Sequence, residues 1–347
     1  MSASPAPLET PPPAASAPAA PYLSLRDLHV TFVGGRKPVH AVNGVDLALA
    51  PGEALALIGE SGSGKSVTLR ALMRLNPERK TKTTGEILVG GRDVARLDGK
   101  ALSLYRGGEV AMIFQEPLLA LDPVFTLGQQ IVEAIRRHER IDRAQARARA
   151  LALFERVRIP SPAKRLDAYP HEMSGGMRQR AMIALALACN PRVLLADEPT
   201  TALDATVQIQ ILLLLRDLQR ELGLSIVFVT HDLGAAVEIA DRIVVMYAGR
   251  IVEEGPAREI IRNPRHPYTI GLLKSRADGA MKKGARLDAI PGAPPDLANL
   301  PAGCAFAARC SIAEPRCREI LPPLARHAAG GGVRCLRADE APGLLAR

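Results

Sequence analysis

Two kinds of apolar pattern alternate along this chain. Ala54–Ile58, Val193–Ala196 and the run SIVFV from Ser225 are short stretches in which nearly every position is apolar. Such runs have the character of strands buried on both faces of a parallel sheet. Between them lie helical patterns. VTLRALMRL follows Ser66, and GQQIVEAIRRHER and IDRAQARARALALFERVRI fall within residues 128–172. Asp142 is placed to cap the second of these. A further helix, ATVQIQILLLLRDLQREL, opens after Asp204 and stops at Gly223, since glycine tolerates the left-handed turn that ends a helix. YLSLRDLHVTF and GEILVGGRDV read as additional strands. Alternation of strand and helix predicts a wound α/β sheet.

The polar residues at the ends of these elements are of specific kinds. After Ala54–Ile58 come Gly59, Glu60, Ser61, Gly62, Ser63, Gly64, Lys65 and Ser66. This is the GxxxxGK[ST] pattern between a strand and a helix, the context in which glycines let backbone amides turn inward on phosphate. Lys65 then reaches the β- and γ-phosphates, and Ser66 offers a hydroxyl to Mg²⁺. Val193–Ala196 runs into Asp197 and Glu198, which places two carboxylates at the exposed end of a buried strand, where a metal and a water can use them. Ser174, Gly175 and Gly176 open a helical run with no proline before Pro191, so a hydroxyl and bare amides stand at a helix N-terminus that attracts phosphate.

Taken in order, GESGSGKS, MIFQEP with Gln115, SGGMRQR, LLADEP, TTALD with Asp204 and VFVTHD with His231 resemble the Walker A loop, Q-loop, signature, Walker B strand, D-loop and switch histidine of the ATP-binding cassette (ABC) family. The resemblance implies a P-loop NTPase core of the RecA-like kind with an antiparallel β subdomain and a helical subdomain at about residues 117–172. It also implies that two such cassettes pack head to tail, with ATP held between the Walker A loop of one and Ser174, Gly175 and Gly176 of the other. On this reading Asp197, Ser66 and Gln115 serve Mg²⁺, Glu198 polarises the attacking water, and His231 contacts the γ-phosphate. Met177 stands where many relatives carry glutamine, a departure expected to affect helix packing more than phosphate contact. Phe32 is the candidate to stack on adenine.

The rest of the chain narrows the class. NPRHPYTIGLLKS followed by IPGAPPDLANLPAGCAFAARC resembles the C-terminal region of oligopeptide and dipeptide importer ATPases of the D type, a pattern shared with importers of nickel, glutathione and other small solutes. That resemblance implies a second, F-type ATPase, two integral membrane permease subunits and an extracytoplasmic solute-binding protein as partners, with the chain on the cytoplasmic face of the bacterial inner membrane. The expected divisions are a Pro/Ala-rich arm over residues 1–22, a nucleotide-binding domain over 23–262 and a C-terminal region over 263–347.

Composition weighs the alternatives. No apolar run approaches the ~18 residues that would span a bilayer, so other subunits are expected to supply a pore. Residues 1–21 lack the basic start and apolar centre of a signal peptide and read as a disordered arm. The net charge of +9 is unevenly placed: 14 Lys/Arg face 7 Asp/Glu from Arg262 onward, against 31 and 29 before it. A basic tail suits acidic partners, anionic lipid or a cofactor as well as DNA. Aromatic residues make up only 3% of the chain, with no tryptophan, which leaves no stacking platform for single strands. A soluble ABC ATPase acting on nucleic acid or the ribosome is therefore the alternative, and a non-hydrolysing regulatory cassette a third reading that Glu198 and His231 oppose. No nucleic-acid partner is expected.

Cys304, Cys310, Cys317 and Cys335 cluster in the tail at intervals of five, six and seventeen residues, while Cys189 lies apart on the signature helix as a core residue. Clustered thiols in a cytosolic chain point to metal rather than disulfides. The spacing is not the CxxC pairing of structural zinc, and an iron–sulfur cluster, zinc or no metal all remain open. The resemblance to importer ATPases favours a [4Fe-4S] cluster.

Overall fold

The computed structural model describes residues 20–201, 203–230, 233–275, 290–328 and 330–345. Most of the Pro/Ala-rich arm and the expected switch histidine, His231, lie outside the described residues. Among the described residues twelve strands are formed: β1 (Leu23–Phe32), β2 (Val39–Leu49), β3 (Ala54–Ile58), β4 (Thr81–Val89), β5 (Arg92–Asp93), β6 (Val110–Ile113), β7 (Val193–Asp197), β8 (Ser225–Thr230), β9 (Arg242–Tyr247), β10 (Arg250–Pro256), β11 (Ala325–His327) and β12 (Gly331–Val333).

They make two sheets. The smaller is antiparallel in the order β2-β1-β4-β5, and the larger is mixed in the order β11-β12-β10-β9-β3-β8-β7-β6. Within the larger sheet β9, β3, β8, β7 and β6 run parallel. All five residues of β3 are buried because its two faces serve different cores. Ala54, Ala56 and Ile58 join the helix-side cluster, whereas Leu55 and Leu57 pack toward the antiparallel sheet with Leu25, Val45 and Leu69. An uninterrupted apolar run is what a strand covered on both faces requires.

The two helical patterns between the Q-loop and the signature form helices Leu127–His138 and Arg143–Arg156. Asp142 caps the second as expected, its Oδ1 accepting from the Gln145 amide at 2.8 Å while the Asp142 amide donates to Gln145 Oε1 at 3.2 Å. Such a box satisfies two amides that the helix start leaves open. Thr126 and Gln129 build the same box on the first helix. The helix after Asp204 runs Ala205–Leu222 and ends at Gly223 with φ 62°, in the left-handed region.

The tail does not stand apart from this sheet. β12 pairs antiparallel with β10, Glu253 opposite Val333, and β11 pairs with β12 in turn. These two three-residue strands were not anticipated: both are too short to carry a period-2 signal, and Gly331 and Gly332 weaken the second further. Their role is to lengthen the sheet that carries the phosphate loop.

Candidate active site

The loop expected to hold phosphate, residues 59–66, follows β3 and leads into helix Lys65–Leu72. Two glycines make its path possible. Gly59 (φ 153°) runs so close to the Met246 carbonyl, and Gly64 (φ 101°) to the Ala41 carbonyl, that a Cβ at either position would overlap a backbone oxygen. The loop is thus wedged between β9 and β2, and its glycines are needed for close approach as well as for backbone freedom.

Lys65 is almost wholly buried and donates from Nζ to the Gly59 carbonyl (2.7 Å), the Glu60 carbonyl (2.8 Å) and Ser63 Oγ (3.2 Å). Burial lowers its pKa below the usual amine range, an effect opposed by the carboxylates of Glu198, Asp197 and Glu60. Ser66 Oγ donates to Asp197 Oδ1 at 2.7 Å, which joins the Walker A helix to the end of β7. Asp197 is 2% exposed. Burial pushes its carboxyl up, the neighbouring Glu198 adds to this, and the Ser66 hydroxyl, Arg70 and Lys65 resist it. A carboxylate so placed is better satisfied with a cation beside it.

Glu198 follows immediately with φ 47°, a conformation few non-glycine residues adopt and one that recurs at functional sites. Its Oε2 accepts from Gln115 Nε2 at 3.1 Å and from Thr201 Oγ1 at 2.9 Å. Gln115 beyond β6, Glu198 at the end of β7 and Thr201 after it therefore meet at one carboxylate. Thr201 was not singled out from the sequence, although it belongs to the TTALD segment.

Ser174 caps the signature helix Gly175–Ala186, its Oγ accepting from the Met177 amide at 3.4 Å, and it is exposed. Gly176 lies so near Val207 that a Cβ would fall 2.7 Å from Val207 Cγ1. Its smallness is thus also demanded by the packing of the helix after Asp204. Asp204 itself caps that helix through the Val207 amide at 3.0 Å. Met177 packs against the helix-side core, and Phe32 is half-buried at the end of β1.

The side of the loop away from Asp197 belongs to the tail. The Glu60 amide donates to Tyr268 Oη at 2.7 Å, and the Glu60 carboxylate receives Arg309 through both guanidinium nitrogens, at 2.6 and 3.0 Å. Arg309 also donates from Nε to the Pro291 carbonyl at 2.8 Å, and its guanidinium lies 5.8 Å from the Tyr247 ring centre. Tyr247, Tyr268 and Phe306 form a compact aromatic cluster with ring centres 4.6 to 5.4 Å apart. None of this was read from the sequence. HPYT and CAFAARC were noticed as segments, but nothing in their spacing says what they touch.

Cys304, Cys310, Cys317 and Cys335 do converge, lining one pocket of about 20 Å³ behind Phe306. Burial pushes the Cys304 and Cys310 thiols up, and that of Cys335 up to about 11. Among the described residues no group of three or more His, Cys, Asp or Glu is arranged to hold a metal ion. Cys189 is half-buried, packed against the helix-side core with its thiol toward the Ala134 carbonyl.

With this geometry in place, comparison with known proteins gives consistent results. Residues 42–201 match the family described as ABC transporter, and residues 252–317 match the oligopeptide/dipeptide transporter C-terminal region. A Brucella melitensis protein, provisionally named a peptide import ATP-binding protein, is 50% identical over 331 residues, spanning 92% of this chain and 98% of its own. The oligopeptide transport ATP-binding protein OppD of Bacillus subtilis is 50% identical over 303 residues, covering 87% of this chain and 85% of its own. Among solved structures, the dimeric bacterial ABC transporter cassette MJ0796 aligns with a TM-score of 0.61 at 30% identity, covering 68% of this chain and 99% of that one. The same cassette is also known in a post-hydrolysis state bound to ADP and Pi. An ordered site of this kind, joined to this C-terminal region and to relatives alike over nearly the whole length, makes the chain a member of the ABC transporter ATP-binding family, in its oligopeptide/dipeptide branch.

Proposed function

We propose that this protein is the ATP-hydrolysing subunit that energises an importer of peptides or related small solutes. The observation that carries the ATPase reading is the Ser66–Asp197 hydrogen bond at 2.7 Å, since it brings the hydroxyl and carboxylate suited to Mg²⁺ beside the phosphate loop. Ser66, Asp197 and Gln115 offer an all-oxygen donor set. Mg²⁺ suits one, because it is commonly held by one or two carboxylates, substrate phosphates and water rather than by a protein cage. When bound, the ion would neutralise charge on the β- and γ-phosphates. Lys65, now donating to loop carbonyls, carries the ammonium that would turn to those phosphates. Glu198, held by Gln115 and Thr201, would orient and polarise the attacking water. His231 would complete the γ-phosphate contacts. Loop amides from Gly59 to Ser66 would cradle the remaining oxygens.

Exposed Ser174 and half-buried Gly175 and Gly176 at a capped helix start, together with Asp204, are assigned to the ATP site of a second cassette, a related F-type subunit. Phe114, Val124 and Phe125 are exposed apolar residues flanking the QEPLLALD segment, and they support docking of two permease subunits there. Among the described residues no helix is long and apolar enough to cross a membrane, so attachment to the cytoplasmic face of the inner membrane would come through those permeases, which also link the chain to a solute-binding protein. We divide the chain at residue 22 and near residue 262, with the helical subdomain at about 117–172.

For the tail, the chemistry of four thiols around one pocket fits a thiolate-ligated group. A cluster spaces its ligands more widely than a single ion does, and its positive irons would hold as thiolates the groups that burial keeps protonated. The pocket is small, so the side chains around it would have to part. Purification without oxygen should then give broad absorption near ~400 nm and stoichiometric iron; zinc, or no metal, overturns the [4Fe-4S] assignment.

Affinity purification from detergent-solubilised membranes tests the main reading. Recovery of two permeases and a second ATPase, with ATP turnover stimulated by peptide and the binding protein, is the expected result. Recovery with ribosomes or DNA and no integral membrane protein overturns it.

A further inference from the structure

The contact between Arg309 and Glu60 crosses 249 residues of sequence and joins the cysteine-bearing tail to the second residue of the phosphate loop. Its environment is built for a permanent pair. The Arg309 side chain is 5% exposed and that of Glu60 is 28% exposed. Five acceptors hold the guanidinium: the two Glu60 oxygens, the Pro291 carbonyl, and the Ile290 carbonyl and Tyr247 Oη, each at 3.3 Å. Two rings, Tyr247 and Phe306, lie under it at 5.8 and 5.9 Å. Bidentate pairing of this kind fixes orientation as well as charge.

Glu60 is held at three points. Tyr268 takes its amide, Arg309 its carboxylate, and Lys65 its carbonyl. Only the third is committed to a group that nucleotide would recruit, because Lys65 is the ammonium that would turn to the phosphates. The other two constraints come from the tail and do not depend on the ligand. They fix the first turn of the loop, just after Gly59 has passed the Met246 carbonyl, so the amides that follow start from a set direction. The guanidinium also cancels a carboxylate that would otherwise stand beside an incoming triphosphate with four negative charges.

We propose that Arg309 is a positioning residue for ATP binding: it braces the phosphate loop through Glu60 and masks the Glu60 charge, making the tail a part of the nucleotide site. Arg309 touches no reacting atom on this account. It acts on affinity, through loop geometry and local charge, and leaves the chemistry at Glu198 alone. This rests on the reading of residues 59–66 as the phosphate loop.

The test is the binding of a fluorescent ATP analogue to the assembled transporter, with KM and kcat measured alongside. Arg309→Met should raise the dissociation constant and the KM for ATP about tenfold while kcat stays within about twofold, the pattern of lost ground-state binding. The diagnostic measurement is the double variant. Arg309→Met combined with Glu60→Gln should recover to within about threefold of the wild-type affinity, because the bare carboxylate is gone and only the loss of the brace remains. Arg316→Met, which removes an exposed tail arginine paired with Glu314, should change nothing. Arg309→Met binding ATP within about twofold of wild type overturns the proposal. So does a loss of affinity that Glu60→Gln does not relieve, since that pattern marks simple damage to the tail fold. Lys65→Ala serves to separate the two readings: if it too binds ATP normally, the phosphate-loop assignment fails and takes this proposal with it. If Lys65→Ala loses ATP and Arg309→Met does not, only the brace is wrong.

Discussion

The two flanks of the large sheet do different work. On one side β3, β8, β7 and β6 run parallel and deliver Lys65, Ser66, Asp197 and Glu198 to one edge, with Gln115 just past the end of β6. On the other, β10, β12 and β11 run antiparallel and carry the tail, whose residues touch the same loop from behind through Tyr268 and Arg309. The parallel flank presents its groups at strand ends, where carboxyl termini collect chemistry in wound sheets. The antiparallel flank presents packing: a buried aromatic cluster, a buried ion pair and a thiol pocket. Chemistry and support are thus separable in space while meeting at Glu60. Substitutions on the first flank should change rate and spare stability, and substitutions on the second should do the reverse.

Glu198→Gln gives the largest separation. Glutamine keeps an oxygen for Gln115 Nε2 and Thr201 Oγ1 but cannot polarise water as a carboxylate does. General-base removal typically costs about 10²–10⁴ in rate. ATP turnover by the assembled complex should fall by that order, with the melting temperature and ATP affinity nearly unchanged. An unaltered turnover number would remove Glu198 from its assigned role.

Phe306→Ala on the opposite flank should invert the pattern. The ring is 4% exposed and lies against Tyr247, Tyr268 and His266 at 5.3 to 5.9 Å between centres. Truncating a buried phenylalanine costs about 3–5 kcal/mol through lost transfer energy and the cavity left behind. Denaturant unfolding should show that loss, and turnover at saturating ATP in the folded fraction should stay near wild type. Should Phe306→Ala unfold only the tail and leave the cassette's transition untouched, the two flanks would be independent units, and the division near residue 262 would be a true folding boundary.

The cassette flank was far more legible than the tail because its signals are local. GESGSGKS, LLADEP and the caps at Asp142 and Asp204 are each written within a few residues, and the physics that selects them, close backbone approach, strand-end carboxylates and unsatisfied helix amides, acts over the same range. Thr201 shows the limit even there: its hydroxyl donates to Glu198 three residues away, yet a threonine in TTALD does not announce that bond. In the tail the decisive contacts link Glu60 with Tyr268 and Arg309 across more than two hundred residues. No periodicity encodes such a pairing. The strands Ala325–His327 and Gly331–Val333 escaped notice for a related reason. They are strands only because β10 offers its edge to β12, and β12 in turn to β11. The four cysteines fall between these cases: their gathering around one pocket was legible from number and spacing, whereas their burial behind Phe306 was not.

His266 gives the smallest and most specific test of the tail's attachment. It is fully buried beside Phe306, its Nδ1 accepts from the Tyr268 amide at 3.0 Å, and its own amide donates to Glu253 at 3.0 Å. Burial lowers its pKa to about 3, and Arg334 adds to the effect. The unfolded chain has an ordinary imidazole, near 6.5. Above that pH both states carry neutral imidazole and the full stability is present. As pH falls from 6.5 toward 3, the unfolded state takes up a proton that the folded state refuses, so stability is lost progressively through that window. At pH 5 the loss should reach about 2 kcal/mol. His266→Asn offers a side-chain oxygen as acceptor without titrating. Its unfolding free energy should start below wild type at pH 7 and decline less between pH 7 and 5, by about the same 2 kcal/mol. Parallel pH profiles for the two proteins would mean that His266 is protonated within the fold, with an acidic partner near enough to hold the charge. Glu253, one residue's amide away and itself pushed up by burial, would then be the group to replace next.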